Sequence, residues 1–326
     1  MKILLVRVSS LGDVLHNLPI VADILRHHPG AQIDWVVEEG YVSLVRLNPH
    51  VRKVIQFALR RWKKGLRDRA VRAEVRAFFR DLRAEQYDYV FDTQGLIKTG
   101  LVMAAARVRP GGQKIGMANG TEDSGYEGAS RIFHSRSIPV ALRTHAVERG
   151  RVVAAAAIGY AIDTPPDFGL PSPDPGRRPA WMPEGDYAVF FHGTARDAKK
   201  WAPANWIALG QALAPMTILL PWGSPKEKAE AERLAAALPN ARLLPKLTMM
   251  DAVELARHAA LAVGVDTGLT HIAAAFVVPT VEIYCDSPRW KTEGNWSPRI
   301  ANLGDTGQPP TGDEVIQAAR SLLEQG

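Results

Sequence analysis

The stretch MKILLVRVSSLGDVLH, residues 1–16, decides the fold class. An apolar run over 1–8 leads through Ser9 and Ser10 to Asp13, and a helical pattern begins at Val14. This order predicts the strand, tight turn and helix of an α/β domain. Amides at such a helix start suit a phosphate, because the N-terminus carries partial positive charge. Asp13 would repel a phosphate, so it is either a proton acceptor for a bound molecule or an acid that complements the helix dipole.

The same alternation of short apolar runs with amphipathic stretches continues along the chain, which is typical of βαβ units and a parallel sheet. In the first half, we predict strands at 3–8, 33–37, 89–92 and 113–116, and helices at 19–27, 70–84 and 98–106. In the second half, we predict strands at 187–191, 217–220, 260–265 and 280–284, and helices at 203–212, 224–237, 250–257, 269–275 and 311–324.

The length of 326 residues exceeds the roughly 250–300 at which a single core stops growing, so two domains are expected. We predict two doubly wound, Rossmann-like domains facing each other across a cleft. The first spans 1–162, and a Pro-rich linker covers 163–184. The second spans 185–310, and a helix over 311–326 could pack back on the first domain.

The composition indicates a cytoplasmic protein. A single cysteine, Cys285, excludes an internal disulfide. The first residues lack the cleavage site of a signal peptide, and the longest apolar stretch, 152–162, is shorter than the ~20 residues of a membrane span.

The net charge of +6 is concentrated in one segment, since residues 60–83 hold ten Lys or Arg against three acids. Within it, the basic cluster of Arg60, Arg61, Lys63 and Lys64 surrounds a tryptophan in a predicted loop. It is either a solvated face or a site for an anionic partner such as a phosphorylated lipid or an acidic sugar. Nucleic acid is disfavoured because the chain has no binding motif of the usual kinds.

Several enzyme classes lose their support because their motifs are absent from the sequence. It contains no GxGxxG, no phosphate-binding GxxxxGK followed by Ser or Thr, no GxSxG and no HExxH. It also lacks a DxD motif, and its His, Cys and acidic residues do not have the spacing typical of metal ligands. We therefore predict neither a cofactor nor a metal.

The segment VGVDTGLTH, residues 263–271, predicts a strand that runs directly into a helix. The amides of Thr267 and Gly268 would then be free for a diphosphate. Asp266 could reach a sugar hydroxyl, and His271 could bond a phosphate or ribose. Alternatively, Asp266 caps the helix and His271 is a satisfied, partly buried histidine.

Two further loops carry polar groups after predicted strands. In HGTARDAKKW, 192–201, Thr194, free amides and Lys199 could neutralise a departing diphosphate, whereas Lys200 is interpreted as solvated. In LPWGSPKE, 220–227, Ser224 and Glu227 have the spacing of a capping box, so Glu227 is either structural or a ribose ligand.

Together these segments resemble the lipopolysaccharide heptosyltransferases, above all those that act first on the inner core. Further matching segments are DWVVEEG, RRWKK, DTQGLIK and THAVER. The resemblance implies a metal-independent, inverting glycosyltransferase of the B-type fold (GT-B). Its donor would be ADP-L-glycero-β-D-manno-heptose, and its acceptor the first Kdo of Kdo2-lipid A at the cytoplasmic face of a Gram-negative inner membrane.

The resemblance also implies roles for individual residues. Asp13 matches the catalytic base, and Lys199 matches the lysine that binds the diphosphate. The donor-binding positions are Thr194, Ala195, Lys199, Glu227, Leu247, Asp266, Thr267, Gly268 and His271. The acceptor positions are Arg60, Arg61, Lys63, Lys64 and Arg143. Ala195 stands where the family has a threonine and Leu247 where it has a methionine, so contacts there would be backbone or simple packing.

Two alternatives stay open at the level of sequence. The chain could add the second heptose, using the same donor on a heptosylated acceptor. It could also be a non-catalytic protein that binds a nucleotide-sugar or an anionic lipid.

Overall fold

The computed structural model describes residues 1–172 and 179–325. The chain divides into two compact units, Met1–Leu170 and Pro171–Gly326. The division falls inside the predicted linker, of which residues 173–178 lie outside the described part. The predicted cleft between two domains stays a prediction.

The first unit is built on a six-stranded parallel sheet in the order β3-β2-β1-β4-β5-β6. Its strands are β1 (Lys2–Val6), β2 (Gln32–Glu38), β3 (Val51–Phe57), β4 (Tyr87–Asp92), β5 (Val108–Met117) and β6 (Arg136–Ile138). Its helices are α1 (Leu11–His16), α2 (Pro19–His27), α3 (Val42–Val45), α4 (Leu59–Gly65), α5 (Arg69–Leu82), α6 (Ile97–Ala105) and α7 (Ala146–Ile158).

The second unit repeats this architecture, with a parallel sheet in the order β12-β11-β10-β7-β8-β9. Its strands are β7 (Tyr187–Phe191), β8 (Thr217–Leu220), β9 (Ala241–Leu243), β10 (Leu261–Val265), β11 (Thr280–Tyr284) and β12 (Ile300–Gly304). Its helices are α8 (Pro203–Ala212), α9 (Pro225–Ala237), α10 (Met249–Arg257), α11 (Gly268–Ala275) and α12 (Gly312–Glu324).

The central strands are buried on both faces. In β1, the side chains of Ile3, Leu4, Leu5 and Val6 are all fully buried, although successive side chains of a strand point to opposite faces. Helices therefore cover both sides of the sheet, as the predicted doubly wound fold requires.

Gly264 on β10 shows how closely a helix approaches the second sheet. A Cβ atom added there would lie 2.1 Å from the Thr270 Oγ1 and 2.8 Å from the Phe191 Cβ. The Thr270 hydroxyl donates a 2.8 Å hydrogen bond to the Val265 carbonyl, so α11 is fixed against the end of β10.

The last helix, α12, belongs to the core of the second unit. Its buried residues Val315, Ala319 and Leu322 pack with Val281 and Ile283 of β11. The apolar face of this helix covers the second sheet. Packing of the helix on the first unit stays a prediction.

The basic cluster lies on a helix, α4, and the prediction of a loop there is wrong. Trp62 is buried between Phe57 and Phe78, with ring centroids 5.5 Å and 5.3 Å away. Burial of this one aromatic ring fixes the helix, while its basic neighbours face outward. No helix in the described residues is long and apolar enough to cross a membrane.

Candidate active site

In each unit, the order of the strands reverses beside the first strand, between β1 and β4 and between β7 and β10. Loops that follow such a pair of strands diverge to opposite faces and leave a crevice at the carboxyl ends, where α/β proteins bind ligands. Asp13 follows β1, and most of the residues predicted for the donor follow β7 and β10, whereas Glu227 follows β8 and Leu247 follows β9. The topology therefore brings Asp13 to the crevice of the first unit and the residues after β7 and β10 to that of the second.

Asp13 lies in the first turn of α1, which begins after Ser10. Its Oδ2 accepts hydrogen bonds from the Ser10 amide at 3.0 Å and the Ser10 hydroxyl at 2.9 Å. Its Oδ1 lies 2.5 Å from the Arg7 guanidinium and 3.7 Å from that of Arg149. The side chain keeps 33% of its surface exposed, so this fixed carboxylate remains open to a ligand.

The charges around Asp13 decide its protonation state. Burial acts to raise the pKa of Asp13, but Arg7, the Ser10 amide and Arg149 together lower that pKa well below its usual range. Asp13 is therefore a carboxylate throughout the physiological pH range. The side chain stabilises the helix start by accepting from the Ser10 amide, and its role as a proton acceptor stays a prediction.

The loop after β4 completes the first crevice. The Gln94 Oε1 accepts a 3.0 Å hydrogen bond from the Val8 amide, and its Nε2 donates to the Ser9 hydroxyl at 3.3 Å. The Lys98 Nζ also donates to the Ser9 hydroxyl, at 3.2 Å. Arg7 donates to the Thr93 carbonyl. The loop that carries Asp13 is thus held to its neighbour across the reversal point.

In the second unit, Lys199 and Asp266 form an ion pair across the corresponding point. Asp266 accepts three more hydrogen bonds, from the Ser287 hydroxyl at 2.7 Å, the Thr292 hydroxyl at 3.3 Å and the His271 Nε2 at 3.0 Å. The carboxylate of Asp266 therefore holds three loops together. This structural role was not part of the prediction, which was a contact with a sugar hydroxyl.

His271 is 3% exposed and lies between two carboxylates. Its Nε2 faces Asp266, and its Nδ1 lies 2.8 Å from the Glu282 Oε1. Burial acts to lower the pKa of His271, but Glu282 and Asp266 outweigh it and raise that pKa to about 10. His271 is therefore a doubly protonated cation whose two donors are both engaged, so it does not reach a phosphate directly in this arrangement.

Free backbone amides lie at the start of α11, as predicted. Thr267 is the N-cap and its side chain makes no capping bond, while Gly268 is the first residue of the helix. Both residues are half-buried, next to the pair of Lys199 and Asp266. A diphosphate placed there would meet a cation and helix-start amides together.

The remaining donor positions lie on neighbouring loops of the second unit. Thr194 is half-buried and Ala195 is exposed after β7, and Leu247 is half-buried just before α10. Glu227 accepts from the Gly223 amide at 2.7 Å and the Ser224 amide at 3.0 Å, so it completes the predicted capping box. Its side chain also fills the space beside Gly193, where a Cβ would lie 2.9 Å from the Glu227 Cγ.

The two adjacent lysines of this region have different partners. Lys200, predicted to be solvated, pairs with Glu230 and lies 3.1 Å from Asp197. Its side chain is only 19% exposed, so the prediction of a solvated lysine is wrong. Lys199 alone of the two points to Asp266.

The acceptor positions lie at the surface of the first unit. Arg61 pairs with Glu39 at 3.0 Å and with Glu74 at 2.7 Å, so its charge is already balanced. The other four positions are exposed, namely Arg60, Lys63, Lys64 and Arg143. The charge of Arg60 acts to lower the pKa of Glu38 at the end of β2, although burial raises that pKa overall.

Arg7, Arg149 and Glu282 did not emerge from the sequence as site residues. Arg149 lies in the THAVER segment and Arg7 in the opening segment that carries Asp13, so their places in segments that match the family were a usable signal. Glu282 sits inside the apolar strand β11 with no motif around it. Within residues 1–172 and 179–325, no three His, Cys, Asp or Glu residues lie where they could hold a metal ion.

The model of glycosyltransferase family 9 (heptosyltransferase) matches residues 75–317. The chain belongs to this family. This family 9 glycosyltransferase is 39% identical over 287 residues to lipopolysaccharide heptosyltransferase 1 of Pseudomonas aeruginosa, across 87% of this chain and 78% of the relative. The resemblance stated from the sequence is confirmed.

Two solved structures extend the comparison. E. coli heptosyltransferase WaaC with ADP has a TM-score of 0.84 and 32% identity, covering 99% of this chain and 100% of that one. WaaC with ADP-2-deoxy-2-fluoro heptose has a TM-score of 0.77 and 32% identity, covering 100% and 99%. The family 9 chain thus shares the GT-B fold with a heptosyltransferase seen with ADP.

Proposed function

We propose that the protein transfers L-glycero-D-manno-heptose from ADP-heptose to the first Kdo of Kdo2-lipid A, with inversion and without a metal, in synthesis of the lipopolysaccharide inner core. The observation that carries this proposal is the match to heptosyltransferase 1 along 87% of the chain.

In the proposed reaction, a Kdo hydroxyl oxygen attacks the anomeric carbon of the heptose. The bond from that carbon to the diphosphate oxygen breaks, and ADP leaves with the electron pair. Asp13, which is ionised and partly exposed, accepts the hydroxyl proton. Lys199 and the amides at Thr267 and Gly268 stabilise the negative charge on the departing diphosphate.

The exposed cations of the basic cluster, together with Arg143, are proposed to hold the acceptor. Lys63, Lys64, Arg60 and Arg143 would meet phosphates and Kdo carboxylates, and the same charges would bring the protein to an anionic membrane surface. Such binding is peripheral and depends on ionic strength.

The deciding experiment measures ADP release with ADP-heptose and either Kdo2-lipid A or a heptosylated acceptor, with and without EDTA. The proposal expects release with Kdo2-lipid A only, unchanged by EDTA. Release only with the heptosylated acceptor would assign the second transfer instead, and no release with either would leave a binding protein.

A further inference from the structure

Glu282 is a buried carboxylate inside the second sheet, to which neither the proposed mechanism nor the family resemblance gives a role. It lies on β11 and is fully buried. Its Oε1 accepts from the His271 Nδ1 at 2.8 Å. Its Oε2 accepts from the Tyr284 hydroxyl at 2.9 Å and the Gly294 amide at 2.8 Å. Two of these contacts, to His271 and to the Gly294 amide, involve segments that also contact Asp266.

The charges alternate along a row of four side chains, from Glu282 through His271 and Asp266 to Lys199. Because His271 donates to a carboxylate at each ring nitrogen, both bonds require both nitrogens to carry protons. Other charges near α11 are balanced elsewhere: on α10, Glu254 pairs with Arg257 at 2.7 Å and with His258 at 3.4 Å.

This row of charges bears on what happens to Asp266 when Lys199 binds a diphosphate. In the structure the Lys199 ammonium is held by Asp266, so a diphosphate would compete with Asp266 for this cation. A buried carboxylate that loses its cation is strongly destabilised. Asp266 avoids that loss only if His271 remains a cation beside it, and the partner that keeps the second proton on His271 is Glu282.

We propose that Glu282 is a positioning residue for the donor diphosphate: it holds His271 as a two-proton donor to Asp266 and thereby releases Lys199 to bind the diphosphate. The inference rests on the proposed function, since it deepens the role of Lys199 at the same site. Glu282 does not touch the donor in this arrangement.

The test compares ADP affinity in Glu282→Gln and in the wild type by calorimetry from pH 6 to pH 9. The readout is the ratio of the two dissociation constants, because protonation of ADP itself affects both proteins equally. A glutamine leaves His271 with one proton at high pH and allows the second to return as the pH falls. We expect affinity at least about tenfold weaker than wild type at pH 8.5, with the ratio falling towards one near pH 6.

Glu254→Gln is the matched control, since it also removes a buried, ion-paired carboxylate of the second unit. Its ratio to wild type is expected to stay constant with pH. A constant ratio for Glu282→Gln would overturn the proposal, because a purely structural loss weakens binding equally at every pH.

A second measurement needs only the wild type and covers the case in which Glu282→Gln does not fold. In protein labelled with ¹⁵N-histidine, the His271 signals, assigned by their loss in His271→Gln, are expected to show both nitrogens protonated up to pH 9. Titration of His271 near its ordinary pKa of 6.5 would overturn the proposal. Both measurements use ADP or the protein alone, so failure of heptose transfer would sink the proposed function without affecting their outcome.

Discussion

The Lys199 ammonium and the Asp266 carboxylate form an ion pair that joins the loop after β7 to the loop after β10. These loops diverge from neighbouring strands, so the pair spans the crevice in which α/β proteins bind nucleotides. The adjacent Lys200 is held by Glu230 instead. Two lysines next to each other in sequence therefore serve different purposes, one at the crevice and one along α9.

Lys199→Ala is expected to weaken ADP binding and to lower turnover, because it removes the cation that pairs with Asp266 beside the start of α11. One charge-assisted contact is worth roughly 1.5–3 kcal/mol, so about a ten- to hundredfold loss of affinity is expected. Calorimetry with ADP and the rate of ADP release measure the two effects. Lys200→Ala is the control, and an equal loss of ADP affinity in that variant would contradict the separate roles of the two lysines.

Asp13→Asn is expected to lower turnover by about 10²- to 10⁴-fold, the usual contribution of a general base, while ADP affinity stays near that of wild type. The amide keeps the shape of the side chain and can still accept from Ser10. Steady-state rates and calorimetry separate the two effects. Near-normal turnover would remove Asp13 from the mechanism.

Protonation of Asp13 should not limit the rate on the acid side of neutrality. Its pKa lies below the ordinary 3.8, so the carboxylate stays ionised as the pH falls through that value, and the stability from its ion pair with Arg7 is lost only at lower pH. Arg7→Gln removes the largest lowering influence, so the acid limb of kcat/KM should move to higher pH. Arg52→Gln, which breaks a pair with Asp34 far from Asp13 in sequence, should leave that limb unmoved.

The exposed lysines of α4 are expected to act on acceptor affinity. Lys63→Ala combined with Lys64→Ala should raise the KM for Kdo2-lipid A severalfold at low salt, with kcat little changed and the difference shrinking as salt screens the charges. Arg61→Ala should instead lower the melting temperature, since it unpairs Glu39 and Glu74. A salt-independent change in KM for the double variant would point to packing rather than charge.

Gly264→Ala is expected to destabilise the second unit, because the new methyl group would meet the Thr270 hydroxyl and the Phe191 Cβ in a closely packed contact. Overpacking of this kind costs about 1–3 kcal/mol. Thermal unfolding measures the loss. Gly185→Ala adds the same atom where nothing lies within 4 Å, and a similar loss there would show that close approach is not the cause.

How far the sequence could predict the fold depended on where each strand lies. The predicted strands all have counterparts in the structure, and the four that were missed, β3, β6, β9 and β12, are the four sheet edges. An edge strand has a neighbouring strand on one side only and is less completely buried than a central strand. It therefore lacks a continuous apolar run. In β3, for example, Arg52 and Gln56 are exposed.

The site shows a comparable limit. Asp13, Lys199 and Asp266 stand at strand ends within recognisable segments, and a carboxyl end is a position that sequence periodicity can locate. Glu282 belongs to a strand, and its importance comes from His271, eleven residues away in the chain and 2.8 Å away in space. Arg149 meets Asp13 across an even longer separation. Such pairings depend on tertiary structure, which local patterns do not encode.

The shared strand order of the two units has a wider consequence. At the same topological position, the first unit presents an anion held by arginines, and the second presents a cation held by an aspartate. The fold thus determines where the crevice lies but not the sign of the charge in it. A comparison of backbones alone would superpose the two crevices as equivalents, and only the side chains distinguish the one suited to removing a proton from the one suited to receiving a phosphate.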